Sequence, residues 1–173
     1  LDDATSSIAA ETFNLIEVVR SIVEEHQGAA KAKGIGLTFT CSLKDDPLLL
    51  FDAQALTQVV QRLLSNAVKF TSVGEVHAAI APERCRDGVV LRISDTGCGI
   101  ESEQLGRLFE EFEAHNPRTA RQGGGTGLGM SIVRREVERM GGEISVSSRP
   151  GEGTTFVVFL PASLGAYCSE VDE

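Results

Sequence analysis

The chain has 173 residues, 42% of them hydrophobic and 24% charged, with no Trp and a formal net charge of −9. That length is enough for one domain with a proper core, and the acidic balance excludes nucleic acid as the main partner, since phosphate binding needs a basic surface. No apolar run approaches the roughly 20 residues that span a bilayer, the start LDDATSSIAAE does not read as a signal peptide, and Cys41, Cys85, Cys98 and Cys168 form no CxxC pair, as expected of reduced thiols in a cytosolic protein.

Residues 1–12 are polar and read as the remnant of something upstream. From Asn14 to Lys33 the positions Leu15, Val18, Val19, Ile22, Val23, His26 and Ala29 keep helical spacing, which predicts an amphipathic helix closed by Gly34. His26 in that stripe reads as a partly buried structural histidine. GLTFTCS and PLLLF read as short strands. Asp52 is a candidate N-cap for a second helix to about Phe70, with Leu56, Val59, Val60, Leu63, Leu64 and Ala67 on one face. EVHAAIAP and GVVLRISD predict a hairpin across the polar ERCRD turn, and ESEQLGRLF a short helix. Residues 113–126 have neither period and read as a mobile loop. A helix from about 127 to 140 stops at Gly141-Gly142, and EISVSSR and GTTFVVFLP close the domain as strands around a Pro150-Gly151-Glu152-Gly153 turn. The tail SLGAYCSEVDE is expected to be disordered. Helices mixed with mostly antiparallel hairpins predict an α+β two-layer sandwich.

The glycine-rich stretch RQGGGTGLGM, at 121–130, runs into a helix, a place where anions bind. It is neither a Walker A loop, because no Gly-Lys-Ser/Thr follows, nor a dinucleotide fingerprint, because its spacing is GxGxG and no strand feeds it. Three further features give it context. SDTGCGI ends an apolar strand with a carboxylate and two glycines, suited to accept a hydrogen bond from a base amino group at close range. The helix over 52–70 carries Asn66 at the edge of its apolar stripe, an oxygen donor for a hard cation, and Lys69, a point charge for phosphate. LFEEFE places Phe109 and Phe112 three apart before the loop, where they can pack as a hinge or serve as core.

In this order the motifs resemble the GHKL superfamily, specifically the catalytic ATP-binding domain of sensor histidine kinases. LLSNAVKFT looks like that family's N box, DTGCGI its first glycine box, LFEEFE its F box and GGGTGLGMSIV its second glycine box. The resemblance covers roughly residues 13–161, leaving 1–12 as the end of an upstream dimerisation hairpin or linker and 162–173 as a tail or linker. It implies the Bergerat fold, a mixed, mostly antiparallel sheet packed on three helices. It also implies ATP and Mg2+ as cofactors and transfer of the γ-phosphoryl group to a histidine. By resemblance, Asp95 meets the adenine amino group and Gly97 and Gly99 let the ring lie close. Asn66 ligates Mg2+, Lys69 meets a phosphate, and Gly125, Thr126, Gly127, Leu128 and Gly129 face the phosphates. Thr154 or Thr155 lies near the adenine, and Arg118 and Arg121 in the lid are candidates for the γ-phosphate.

The acceptor is not expected in this chain, because His26, His77 and His115 lack an HExRTP-like setting. The implied partners are the dimerisation and histidine-phosphotransfer domain of the same kinase and a response regulator. Neither nucleic acid nor membrane is expected to contact the domain, which is expected to be monomeric by itself. Its expected location is the cytoplasm, as a free protein or as the cytoplasmic part of a membrane-bound sensor.

One residue departs from the family pattern. Four positions before Asn66, where histidine kinases usually carry a second Asn or another polar or acidic residue and ATPases a water-activating Glu, stands Arg62. It shares a helix face with Asn66, cannot serve as a general base, and repels a metal ion. Two readings follow: an active kinase domain, and a degenerate nucleotide-binding regulatory module with weak or no kinase activity. Both carry an expectation of weakened Mg2+ dependence. A redox role for Cys98, inside DTGCG, is a further reading that needs a perturbed thiol.

Overall fold

Asn14 and Gly34 bracket the first long helix. In the computed structural model, which describes residues 11–43, 48–83, 85–110 and 129–162, helix α1 runs Leu15–Lys33. The Asn14 side chain accepts from the Glu17 amide at 2.8 Å, satisfying one of the amides left free at a helix start. Gly34 ends the helix in the left-handed region at φ 71°. The apolar spacing buries Leu15, Val19, Ile22 and Val23, as expected, but the last buried position is Ala30 rather than Ala29, which is exposed. Seven residues on from Val23 are about two helical turns, so position 30 regains the buried face and 29 falls off it.

The second helix, α2 (Ala53–Phe70), begins as predicted at Asp52, whose Oδ1 accepts from the Gln54 and Ala55 amides at 3.0 and 3.1 Å. Leu56, Val59, Val60, Leu63 and Leu64 are fully buried and Ala67 nearly so. Each of the buried leucines and valines contributes about 1.5–3 kcal/mol by leaving water. Helix α2 lies between α1 and a later helix, α4 (Gly129–Arg139), and also packs on the sheet. The short helix expected over 101–109 is one turn, α3 (Ser102–Leu105), followed by turns.

Among the described residues seven strands form two sheets. β1 (Glu11–Asn14) pairs antiparallel with β3 (Leu48–Phe51) in a two-stranded sheet. The polar segment 1–12, read from sequence as an upstream remnant, therefore ends in a strand at residues 11 and 12. The main sheet has the order β2-β4-β5-β7-β6, built from β2 (Gly36–Cys41), β4 (Glu75–Pro82), β5 (Gly88–Asp95), β6 (Glu143–Arg149) and β7 (Gly153–Pro161). Among the described strands of this sheet only β2 with β4 is parallel, the connection between them crossing through β3 and α2. Alternate residues Val76, Ala78 and Ile80, Val89, Leu91 and Ile93, and Phe156, Val158 and Leu160 point to one face and meet the helices. The result is the predicted two-layer α+β sandwich. The expected loop over 113–126, the start of the helix before Gly129 and the tail from 163 lie outside the described residues.

The Asp52 cap has a second contact: Oδ2 receives Arg139 Nη2 from the end of α4 at 3.0 Å. Half of the Arg139 side chain is exposed, so the cap outweighs the ion pair. We expect Asp52→Ala to cost about 1–2 kcal/mol in chemical denaturation and Arg139→Ala no more than about 1 kcal/mol. Equal losses would show that the bridge rather than the cap holds this end of α2.

Candidate functional site

Strand β5 ends in Asp95, and the sheet brings Thr154 of β7 directly opposite it. The half-buried Asp95 carboxylate uses one oxygen, Oδ1, to accept two amides, from Gly97 at 2.8 Å and from Thr154 at 3.3 Å. Burial pushes its pKa above the ordinary carboxylate value, and these two N–H groups pull it partly back. Oδ2 has no partner among the described residues. Beneath the pair, Thr154 Oγ1 meets Ser148 Oγ at 2.9 Å. Ser148 Oγ also accepts from the Ile100 amide at 2.9 Å and donates to the Gly153 carbonyl at 2.8 Å. Of the two threonines named from the sequence, Thr154 gives its amide to the Asp95 carboxylate, whereas Thr155 donates to Ser94 at 3.0 Å, away from that carboxylate.

The two glycines after Asp95 are there for space. A Cβ on Gly97 would stand 2.5 Å from the Phe70 carbonyl oxygen and 2.8 Å from Asp95 Oδ1. Gly99 has φ +70°, and a Cβ there would collide with the Arg149 carbonyl. Between them, Cys98 donates its amide to the Phe70 carbonyl at 3.3 Å and accepts from the Gly151 amide at 2.8 Å. The glycine turn is thus pinned between the last residue of α2 and the β6–β7 turn.

A cavity of about 500 Å³ opens between the helices. Gln58, Gln61, Arg62, Ser65 and Asn66 of α2 line it, with His26 from α1 and Gly129 from α4. Arg62 is exposed and Asn66 half-buried. A Cβ on Gly129 would lie 3.8 Å from Arg62 Nη1, so the guanidinium stands beside the first residue of α4. Asn66 and Phe70 are four residues apart on α2, about 6 Å along the axis, so one helix reaches both the cavity and the glycine turn.

Asp95, Gly97, Gly99 and Thr154 form one cluster, and Asn66, Arg62 and Gly129 another. Lys69 is exposed at the end of α2, its Nζ 5.3 Å from the Phe70 ring centroid and not part of the cavity lining. The Val68 and Lys69 carbonyls receive Lys33 Nζ at 2.6 and 2.9 Å, which caps the helix end. Phe109 packs on the core with the Arg134 guanidinium 5.9 Å from its ring. Gly125, Thr126, Gly127, Leu128, Arg118, Arg121, Phe112 and His115 lie outside the described residues. Sequence reasoning missed Ser148 and the Phe70 carbonyl. The first reads as one more polar residue in an alternating strand, and the second is backbone.

The arrangement offers an acceptor at a glycine-lined strand end, and a cation with an amide facing a cavity. That combination suits a planar group with an amino donor and an anionic tail. It suits a protein-held metal poorly. Asn66 supplies one neutral oxygen, Arg62 stands one turn away on the same face, and among the described residues no carboxylate lines the cavity. Among the described residues no group of three His, Cys, Asp or Glu could hold an ion.

The family described as "Histidine kinase-, DNA gyrase B-, and HSP90-like ATPase" matches residues 51–164. The chain is 36% identical over 165 residues to the autoinducer 2 sensor kinase/phosphatase LuxQ of Vibrio parahaemolyticus, covering 93% of this chain and 19% of the relative. It is 41% identical over 152 residues to the sensor histidine kinase GacS of Pseudomonas protegens, covering 86% of this chain and 16% of that protein. Among solved structures, full-length ShkA in complex with AMPPNP matches with TM-score 0.78 at 29% identity, over 90% of this chain and 32% of that one. The catalytic domain of histidine kinase ThkA matches with TM-score 0.74 at 25% identity, over 88% and 97%.

Because burial raises the Asp95 pKa, its contribution is fully present below the ordinary value of 3.8 and is lost as pH rises through the folded value. Asp95→Asn has no such loss. In thermal melts we expect the variant to gain on the wild type as pH rises from the acid range toward neutrality. A difference independent of pH would contradict the burial account.

Proposed function

The chain belongs to the histidine kinase-, DNA gyrase B- and HSP90-like ATPase family and has the fold of sensor histidine kinase catalytic domains; on that premise we propose that it binds ATP and donates the γ-phosphoryl group to a histidine on a separate phosphoacceptor domain. The single observation that carries this reading is the unpaired Oδ2 of Asp95 above a glycine turn, on the same helix–sheet frame that points Asn66 into the cavity. The adenine amino group donates to Asp95, with the ring over Gly97 and Gly99 and beside Thr154. The phosphates extend toward Asn66, Lys69 and the segment leading into α4. There Gly125, Thr126, Gly127, Leu128 and Gly129 present backbone amides, and Arg118 and Arg121 approach the γ-phosphate.

Catalysis in this scheme is positioning and charge neutralisation. An imidazole nitrogen of the acceptor attacks the γ-phosphorus, the bond to the β,γ-bridging oxygen breaks, and ADP leaves. No step is routed through a metal ion, for which the donor set here fits poorly. Arg62 supplies no base for water, which separates this site from water-activating ATPases. The described histidines are engaged: His26 Nδ1 donates to the Ile22 carbonyl at 2.9 Å, and His77 meets Thr38 and Thr40 at 2.8 and 3.1 Å. The acceptor is assigned to a dimerisation hairpin of the same kinase; the boundary read from sequence at residue 13 moves to Glu11, because Glu11 and Thr12 already pair with β3, and 162–173 are assigned to a linker or tail. The domain is a cytoplasmic monomer that serves a response regulator. No described helix is long and apolar enough to cross a membrane.

Arg62 in the cavity favours a second reading, a nucleotide-binding module that regulates a partner with little or no transfer. The two separate when the hairpin is supplied in cis or in trans with labelled ATP. We expect phosphohistidine to form, and Asp95→Asn to reduce it at least tenfold at subsaturating ATP (about 1.4 kcal/mol). ATP binding without transfer assigns the module reading, and failure to bind ATP contradicts both.

A further inference from the structure

We infer that Arg62 takes over part of the charge neutralisation that a divalent cation gives to nucleotide phosphates, so that this site holds ATP nearly as well without Mg2+ as with it. The inference rests on the ATP-binding reading and concerns the phosphate end of that site. Arg62 and Asn66 are one turn apart on α2 and line one cavity. The guanidinium stands against Gly129 at the start of α4. Among the described residues no carboxylate lines the cavity and Arg62 forms no ion pair. Glu25, on the adjoining helix, is engaged by Gln61 at 3.5 Å.

An arginine so placed has two chemical consequences. Its planar fork matches two phosphate oxygens at once, a charge-assisted contact stronger than a neutral hydrogen bond. It also competes with a metal ion for those oxygens and repels the ion, both being positive. Asn66 by itself offers Mg2+ one neutral oxygen, whereas Mg2+ sites usually include a carboxylate besides substrate phosphates and water. The phosphate charge is met here by a side chain that is always protonated, independent of metal supply.

The test is a titration of ATP into the full chain, in excess EDTA and in excess Mg2+, for the wild type, Arg62→Asn and Arg62→Lys. Arg62 is exposed, so melting curves of the variants are expected to match the wild type and exclude a folding effect. We expect wild-type affinity to change less than about threefold between the two conditions. Arg62→Asn should lose roughly tenfold in EDTA and much less in Mg2+. Arg62→Lys should fall between, keeping the charge and losing the fork. Wild-type affinity that collapses tenfold or more in EDTA, or an Arg62→Asn variant with the wild-type metal response, overturns the inference and leaves the ATP-binding reading intact. Absence of ATP binding by the wild type in both conditions overturns the reading itself.

Discussion

The Asp95 carboxylate is kept where water reaches it only in part, and two backbone amides fixed by different elements share one of its oxygens. The Thr154 amide comes from β7 across the sheet, and the Gly97 amide from the turn that follows β5. The carboxylate therefore joins strand, turn and neighbouring strand at one atom, and its second oxygen has no partner among the described residues. The surrounding parts serve that geometry. Gly97 must be small because the Phe70 carbonyl and the carboxylate itself lie against it. Ser148 ties the turn to β7 through Ile100, Gly153 and Thr154. The cost of burying the charge is offset only in part by the two amides, a cost that an amino group donating to the free oxygen would relieve.

Helix α2 links this arrangement to the cavity lined by Arg62 and Asn66. Its apolar face is buried between α1 and α4 and against β5, and its N-terminus is held by the Asp52 cap. Its C-terminus is held by Lys33 and by the amide of Cys98. A helix fixed at both ends and along one face leaves little freedom to Arg62, Asn66 and Phe70, which follow one another at single turns. The Asp95 strand end and the α2 cavity face are thereby set by one rigid body.

Much of this was legible in the sequence, for reasons that are local. Asn14, Gly34 and Asp52 announce helix ends through short-range hydrogen bonds or a backbone conformation, and the strands of the main sheet show their buried alternation. Strand β1 was not legible, because ETFN becomes a strand only by pairing with residues 48–51, which lie far along the chain. Ala29 and Ala30 differ by one position in a stripe of small residues, and packing against the rest of the core decides between them. The order of the glycine and Asn motifs pointed to the two clusters, while their support did not show: a serine hydroxyl on β6 and a carbonyl at the end of α2 leave no mark in composition. Arg62 was visible as a departure from pattern, but its place beside Gly129 required the packing of α4 on α2.

The central claim is that the Asp95 strand end and the α2 face form one adenine-nucleotide site. Its most direct test is an amide chemical-shift map of the labelled chain with and without ATP. Large shifts are expected at Gly97 and Thr154, whose amides bind Asp95, together with shifts along α2 around Asn66. The Arg86–Glu143 ion pair at the far end of the sheet should be unmoved. Shifts confined to the α2 cavity, with Gly97 and Thr154 unchanged at saturation, would contradict it.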